Sequence, residues 1–182
     1  IQTRPETLTD YKVKRLAEVG LHRISFGIEH GNEKFREKML QRRVKNSLMI
    51  ENLNIVSSDL DIPISVNNLV GFPKENRELA FETIELNRKI RSDGINAYTF
   101  TPFNGIPLRR VSEKLGYIEK DQIVGSVMGK SVLNMPDMTP DEIEGIRRCF
   151  VLYAKMPRDR WEEIRLAENL DDEGDEKYRE LK

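Results

Sequence analysis

Residues 21–31 read LHRISFGIEHG, and residues 62–73 read IPISVNNLVGFP. In the first, Ile24, Phe26 and Ile28 alternate over a short β-prone run that stops at Gly31. The second holds an apolar strand, Ile64 to Val70, that again stops at a glycine, Gly71. Such runs, bounded by turn residues, predict strands. A third, INAYTFTPF (95–103), stops at Pro102.

Helical patterns separate the three. Thr7 to Val19 places Leu8, Tyr11, Leu16 and Val19 near one face, with Thr7 and Asp10 spaced as a capping box and Gly20 as a stop. Glu33 to Leu40 is a short helix, and after the basic stretch Gln41 to Lys45, Asn46 is expected to cap a longer one carrying Met49, Leu53, Val56 and Leu60. Arg77 to Arg91 has a wide apolar face made by Leu79, Ala80, Ile84, Leu86 and Ile90. Strands alternating with helices at this spacing suit right-handed crossovers in a parallel sheet or barrel.

Beyond residue 107 the pattern is mostly helical: Leu108 to Leu115, Pro140 to Ala154 and Trp161 to Leu170. The residues from Asp171 to Lys182 are charged with few apolar groups and read as a solvated tail or a fraying helix.

Of 182 residues, 38% are hydrophobic, enough for a core, and the chain opens at Ile1 directly in a strand-like segment, as a fragment would. The formal net charge of −1 gives no basic field to draw nucleic acid. No apolar run reaches membrane-spanning length and no signal peptide is visible, so a soluble cytoplasmic protein with no membrane partner is expected. The one cysteine, Cys149, with His22 and His30, cannot hold zinc or an iron–sulfur cluster, and its helical neighbours Ile146, Phe150 and Tyr153 make it an inert buried thiol.

In a parallel βα barrel, ligands bind beyond the C-terminal ends of the strands. Glu29 sits there between Gly27 and Gly31, and its carboxylate can accept two hydroxyl hydrogen bonds, as from a ribose; capping the next helix or pairing with an arginine explains it equally well. Asn67 and Asn68 are unusual at the end of an apolar strand, and the exit Gly71-Phe72-Pro73 would leave backbone amides open to a flat heterocycle; a turn with side-chain bonds to backbone is the plainer account. Phe103 is a core or lid residue before a cofactor contact, Arg42, Arg43 and Lys45 read first as a solvated face, and His30 as a surface residue at a helix start.

Taken together, TRPETLTD (3–10), LAEVGLHRISFGIEHGNEKFREKML (16–40), VNNLVGFPKENRELAFETIELNRKI (66–90) and FTPFNGIPL (100–108) resemble the radical S-adenosylmethionine (SAM) superfamily, nearest to members with an N-terminal cobalamin-binding domain. The resemblance implies an α/β fold: the C-terminal half of a partial TIM-type barrel, about strands 3/4 to 6, over residues 1–118, followed by a helical extension over 119–170 and the charged tail over 171–182. It implies an enzyme in which a CxxxCxxC loop holds a 4Fe-4S cluster, a reductant such as flavodoxin or ferredoxin supplies an electron, and S-adenosylmethionine is cleaved to a 5'-deoxyadenosyl radical, with cobalamin-dependent methyl transfer as the outcome.

By the same resemblance, Glu29 contacts the ribose; Asn67, Leu69 and Gly71 lie beside ribose and adenine; Thr101 to Phe103 lie near adenine; and Arg43 is directed at the methionine carboxylate. No CxxxCxxC occurs in the chain, and Ile106 stands where the family has the threonine of a GTP triplet. The isolated chain is therefore expected to be inactive, with weak nucleoside binding. The competing reading is a non-catalytic barrel remnant that serves as a binding or assembly module.

Overall fold

The computed structural model describes residues 1–59 and 62–182, so the expected contribution of Leu60 to the third helix lies outside the described residues. The chain divides into two compact units. The first comprises Ile1–Asn68 and Phe81–Asn96; the second comprises Leu69–Ala80 and Ala97–Lys182.

Four strands form one sheet in the order β1 (Gln2–Thr3), β2 (Ile24–Glu29), β3 (Ile64–Val70), β4 (Gly94–Thr99). β1 is parallel to β2, and β2 is parallel to β3. Along β4, Asp93 N–H donates to the Ile64 carbonyl and Phe100 N–H to the Val70 carbonyl, so β4 runs the same way. Consecutive parallel neighbours require crossovers, and helices supply them.

In the first unit these are α1 (Asp10–Glu18), then α2 (Glu33–Leu40) and α3 (Asn46–Asn54), followed by a π-helical turn at Ile55–Asp59. α1 starts later than the sequence pattern suggests. Pro5–Thr7 forms a 3₁₀ turn, Thr7 Oγ1 donates to the Arg4 carbonyl, and Thr9 instead accepts from Lys12 N–H as the cap. Asn46 does not cap α3 either, since its amide donates to the Gly31 carbonyl and accepts from Arg36. Ile24, Phe26, Ile28, Ile64, Val66, Met49, Leu53 and Ile84 are buried and form the core of this unit.

α4 (Arg77–Asn87) begins in the second unit and ends in the first. Within the first unit, Asn68 and Asn87 are buried and exchange amide hydrogen bonds of 3.1 and 2.8 Å, so the amide of β3 that the sequence marked as costly is paid back by a partner on the following helix.

The second unit adds α5 (Pro107–Lys114), α6 (Pro140–Lys155), α7 (Trp161–Leu166) and α8 (Asp172–Leu181). Ile143, Ile146, Cys149, Phe150 and Tyr153 line the buried face of α6, as their spacing predicts. Residues 171–182 are no tail. Asp171 caps α8 by accepting from Gly174 N–H, Arg148 pairs with Asp175 at 2.5 Å, and the Arg148 guanidinium lies 5.2 Å from the centre of the Tyr178 ring. No helix of the described residues is long and apolar enough to cross a membrane.

Candidate functional site

Glu29 stands where the β2–β3 ladder breaks. Gly27 is opposite Asn67, but Glu29 is opposite Asn68, and this bulge puts Glu29 at φ 67°, in the left-handed region. A non-glycine residue there carries backbone strain, which collects at bulges that re-aim a side chain. The carboxylate folds back over Gly27, so closely that a methyl group on Gly27 would collide with it. Burial raises the Glu29 pKa above the usual carboxylate range, and the nearby Arg42 and Arg4 offset this only in part.

Arg42 is the organising cation of this corner. It is buried, donates to the Gly27 carbonyl at 3.0 Å, and holds Glu6 in a two-pronged pair of 2.8 and 2.7 Å. Burial opposes the ionised form of Glu6, but the bonds from Arg42 outweigh it and lower the pKa. Arg43 points elsewhere: its side chain is 84% exposed and pairs with Glu37 at 2.9 Å. The sequence showed two adjacent arginines in a loop, and adjacent loop residues face opposite ways, so their spacing could not choose between them.

His30 is fully buried rather than at the surface; its Nδ1 accepts from Asn32 N–H and its ring stacks on Phe35 at 4.2 Å. Asn67 lies beside Gly27 on β3, where its amide donates to Ser25 Oγ at 3.1 Å and accepts from Asn96 at 2.9 Å. Glu29 thus stands at the C-terminal end of β2, one register position beyond the Gly27–Asn67 pair, with its carboxylate folded back over Gly27.

In the second unit, Leu69 is half-buried in β3, and Gly71 follows that strand at φ 91°, a conformation glycine adopts without strain. Its amide is not open to a heterocycle. Gly71 N–H and Phe72 N–H both donate to the buried Glu75 carboxylate, at 2.6 and 2.9 Å. Phe72 packs on Phe100 with ring centres 4.9 Å apart. Thr101 is nearly buried and donates to the Thr99 carbonyl, whereas Phe103 is 44% exposed, as a lid residue would be.

Beside Phe100 and Thr101 opens a cavity of about 160 Å³ with Gly125, Ser126 and Lys130 in its wall. Arg109 fixes the surrounding loops: buried, it donates to the carbonyls of Pro102, Glu119, Lys120 and Gln122 and to Glu113. Sequence reasoning missed this arginine, since only the fold reveals four carbonyls converging on it.

A strand-end carboxylate on a bulge, with an asparagine on the next parallel strand, meets the comparisons at this point. The family model described as "Radical SAM superfamily" matches residues 1–86. Over 169 residues the chain is 27% identical to a tRNA-2-methylthio-N(6)-dimethylallyladenosine synthase of Thermoanaerobacter pseudethanolicus, covering 90% of this chain and 30% of that protein. A protein of the same name from Halalkalibacterium halodurans is 23% identical over 115 residues, 62% of this chain and 21% of its own. The chain thus spans about a third or less of the curated relatives it matches.

Two solved structures share the fold. The coproporphyrinogen III oxidase HemN of Escherichia coli, a radical SAM enzyme, superposes with a TM-score of 0.55 at 17% identity over 69% of this chain and 27% of its own. Elp3 of Methanocaldococcus infernus, lacking its N-terminal residues 1–46, gives 0.58 at 17% identity over 87% and 33%. The fold is α/β with a parallel sheet, as in these two structures.

The residues present suit one of the two groups that the resemblance implies. Glu29 and Asn67 supply acceptor and amide functions of the kind a ribose needs. The cluster is another matter. Its ligands are thiolates, and the chain has a single cysteine, Cys149, which is buried and whose thiol burial pushes up to about 12. Among the described residues, no group of histidine, cysteine and acidic side chains could hold a metal ion.

Proposed function

We propose that this chain is part of a radical SAM enzyme and supplies the nucleoside-binding portion of its S-adenosylmethionine site. The observation that carries the reading is the bulge at Glu29, which holds a carboxylate at the C-terminal end of β2, one register position beyond the Gly27–Asn67 pair. Glu29 binds the ribose hydroxyls, and Arg42 keeps the strand end in place through the Gly27 carbonyl. Within the second unit, taken by itself, Leu69, Gly71, Thr101 and Phe103 are the residues proposed for the adenine, with Glu75 fixing the Gly71 turn rather than leaving its amides for the base. Arg43, exposed on its loop, is placed to meet a carboxylate only if it gives up Glu37.

When bound, S-adenosylmethionine supplies a 5'-deoxyadenosyl radical on reduction, and the cluster that delivers the electron needs cysteines from outside this chain. Modification of a tRNA base, suggested by the names of the relatives, is favoured over cobalamin-dependent methyl transfer as the outcome.

Calorimetric titration of the chain with S-adenosylhomocysteine tests the nucleoside site. Binding is expected, weakened in Glu29→Gln by about 1–3 kcal/mol, the worth of hydrogen bonds to a charged acceptor. Equal affinity in the two proteins would return Glu29 to a purely structural role.

A further inference from the structure

In the first unit, one side of the sheet is built from the half-buried Ser25 and the buried Gly27 on β2, the half-buried Ser65 and Asn67 on β3, and the half-buried Gly94 and the exposed Asn96 on β4. The opposite side carries the buried Ile24, Phe26, Ile28, Ile64 and Val66. In a parallel barrel, inward positions are ordinarily filled by bulky branched apolar side chains stacked in layers. All six positions here are polar or glycine.

They form one ladder across three strands. Ser65 Oγ donates to Ser25 Oγ at 3.0 Å, Asn67 Nδ2 donates to the same Ser25 Oγ at 3.1 Å, and Asn96 Nδ2 donates to Asn67 Oδ1 at 2.9 Å. An amide carries two N–H donors and an oxygen with two lone pairs, so Asn96, half outside the protein, has a donor and an acceptor left on one plane. No position of the ladder bears a charge. The floor is flat, because a side chain on Gly94 would press on Ser65 at 3.3 Å, and Gly27 is covered only by the Glu29 carboxylate. Three strands and two layers of residues make a surface of about 10 by 7 Å.

We propose that this ladder is a second subsite, further from the strand ends than Glu29, and that it takes a planar, uncharged ring with hydrogen-bonding edges, the class to which nucleobases belong. Asn96 reads the ring's edge with its paired donor and acceptor, Ser65 and Ser25 hold Asn67 in orientation, and Gly94 lets the ring lie on the backbone. The ring is the group the enzyme acts on, so the proposal rests on the assignment of Glu29 to S-adenosylmethionine. An amide bonded twice to a base edge discriminates by an amount that corresponds to roughly tenfold in affinity.

The test is a titration of the ¹⁵N-labelled chain, saturated with S-adenosylhomocysteine, with adenosine. The Asn96 and Asn67 side-chain amide signals are expected to shift, and Asn96→Leu to weaken adenosine roughly tenfold at saturating S-adenosylhomocysteine. Glu29→Gln is expected to weaken S-adenosylhomocysteine instead. Asn96→Ala, at an exposed position, keeps the test open if the bulkier variant misfolds. Unmoved Asn96 signals, or equal adenosine affinity in Asn96→Ala, overturn the proposal. Failure of S-adenosylhomocysteine to bind sinks the assignment of Glu29 instead, and adenosine added alone then reports on the ladder directly.

Discussion

Cys149 lies on the buried face of α6, and burial, reinforced by the Glu168 carboxylate, pushes its thiol up to about 12. Because the thiolate is the reactive form, a shift from 9.0 lowers its population about a thousandfold at pH 8. Ellman's reagent should therefore label the folded chain very slowly and the urea-unfolded chain at the ordinary rate; equal rates would mean that α6 opens readily. Glu29 carries a pH signature of the opposite kind to a salt-bridged carboxylate. Its folded pKa is raised, so the folded state binds more protons than the unfolded one above the ordinary value of 4.5, and stability falls as pH rises from there through the folded pKa. Glu29→Gln should gain in urea midpoint relative to the native chain more at pH 7 than at pH 4, and a pH-independent difference would contradict the burial of its charge. Glu29 was legible because glycines flank it at a strand end. Arg42 and Glu75 were not, since their partners, Gly27 and Glu6 for one and two backbone amides for the other, become neighbours only once the turns have formed.

Among the elements, α6 has the best-defined start. Thr139 Oγ1 accepts from Glu142 N–H at 3.2 Å, the Glu142 carboxylate accepts from Thr139 N–H at 2.8 Å, and Pro140 occupies the first turn. Thr139→Ala should cost about 1 kcal/mol at neutral pH in chemical denaturation. The Thr139 amide and hydroxyl lower the Glu142 pKa, so the contribution of this arm is present above the unfolded pKa and is lost as pH falls through the folded one. The penalty of Thr139→Ala should accordingly shrink in acid, and a constant penalty would assign the cap to the hydroxyl alone. Thr139-Pro140 announced this helix in the sequence, whereas the similar spacing of Thr7 and Asp10 misled, because Pro5 sets a 3₁₀ turn first and the cap falls to Thr9. For want of an apolar stripe, α8 read as a solvated tail or a fraying helix. It docks through Gly174, where any side chain would strike the Asn169 carbonyl, and through the arginine–tyrosine stack of Arg148 on Tyr178.

At the scale of the whole chain, the alternation of strands and helices was enough to give the parallel α/β class, since parallel neighbours leave few other connections. The division into units was not, because it cuts through β3, α4 and β4 rather than between elements. Anaerobic treatment of the chain with iron and sulfide should yield no iron–sulfur absorption, because one inert thiol cannot anchor a cluster; a stable chromophore would overturn the fit argued from Cys149. The Asn68–Asn87 exchange has an effect on how the chain finds this arrangement. Sliding β3 by one residue would turn Asn68 to the other side of the sheet and break both bonds of the exchange, at about 1–3 kcal/mol each. Apolar neighbours such as Val66 and Val70 tolerate being interchanged far better than two amides tolerate separation. The pair thus works as a proofreading device, by which a misaligned strand is rejected while the rest of the fold is still unfinished.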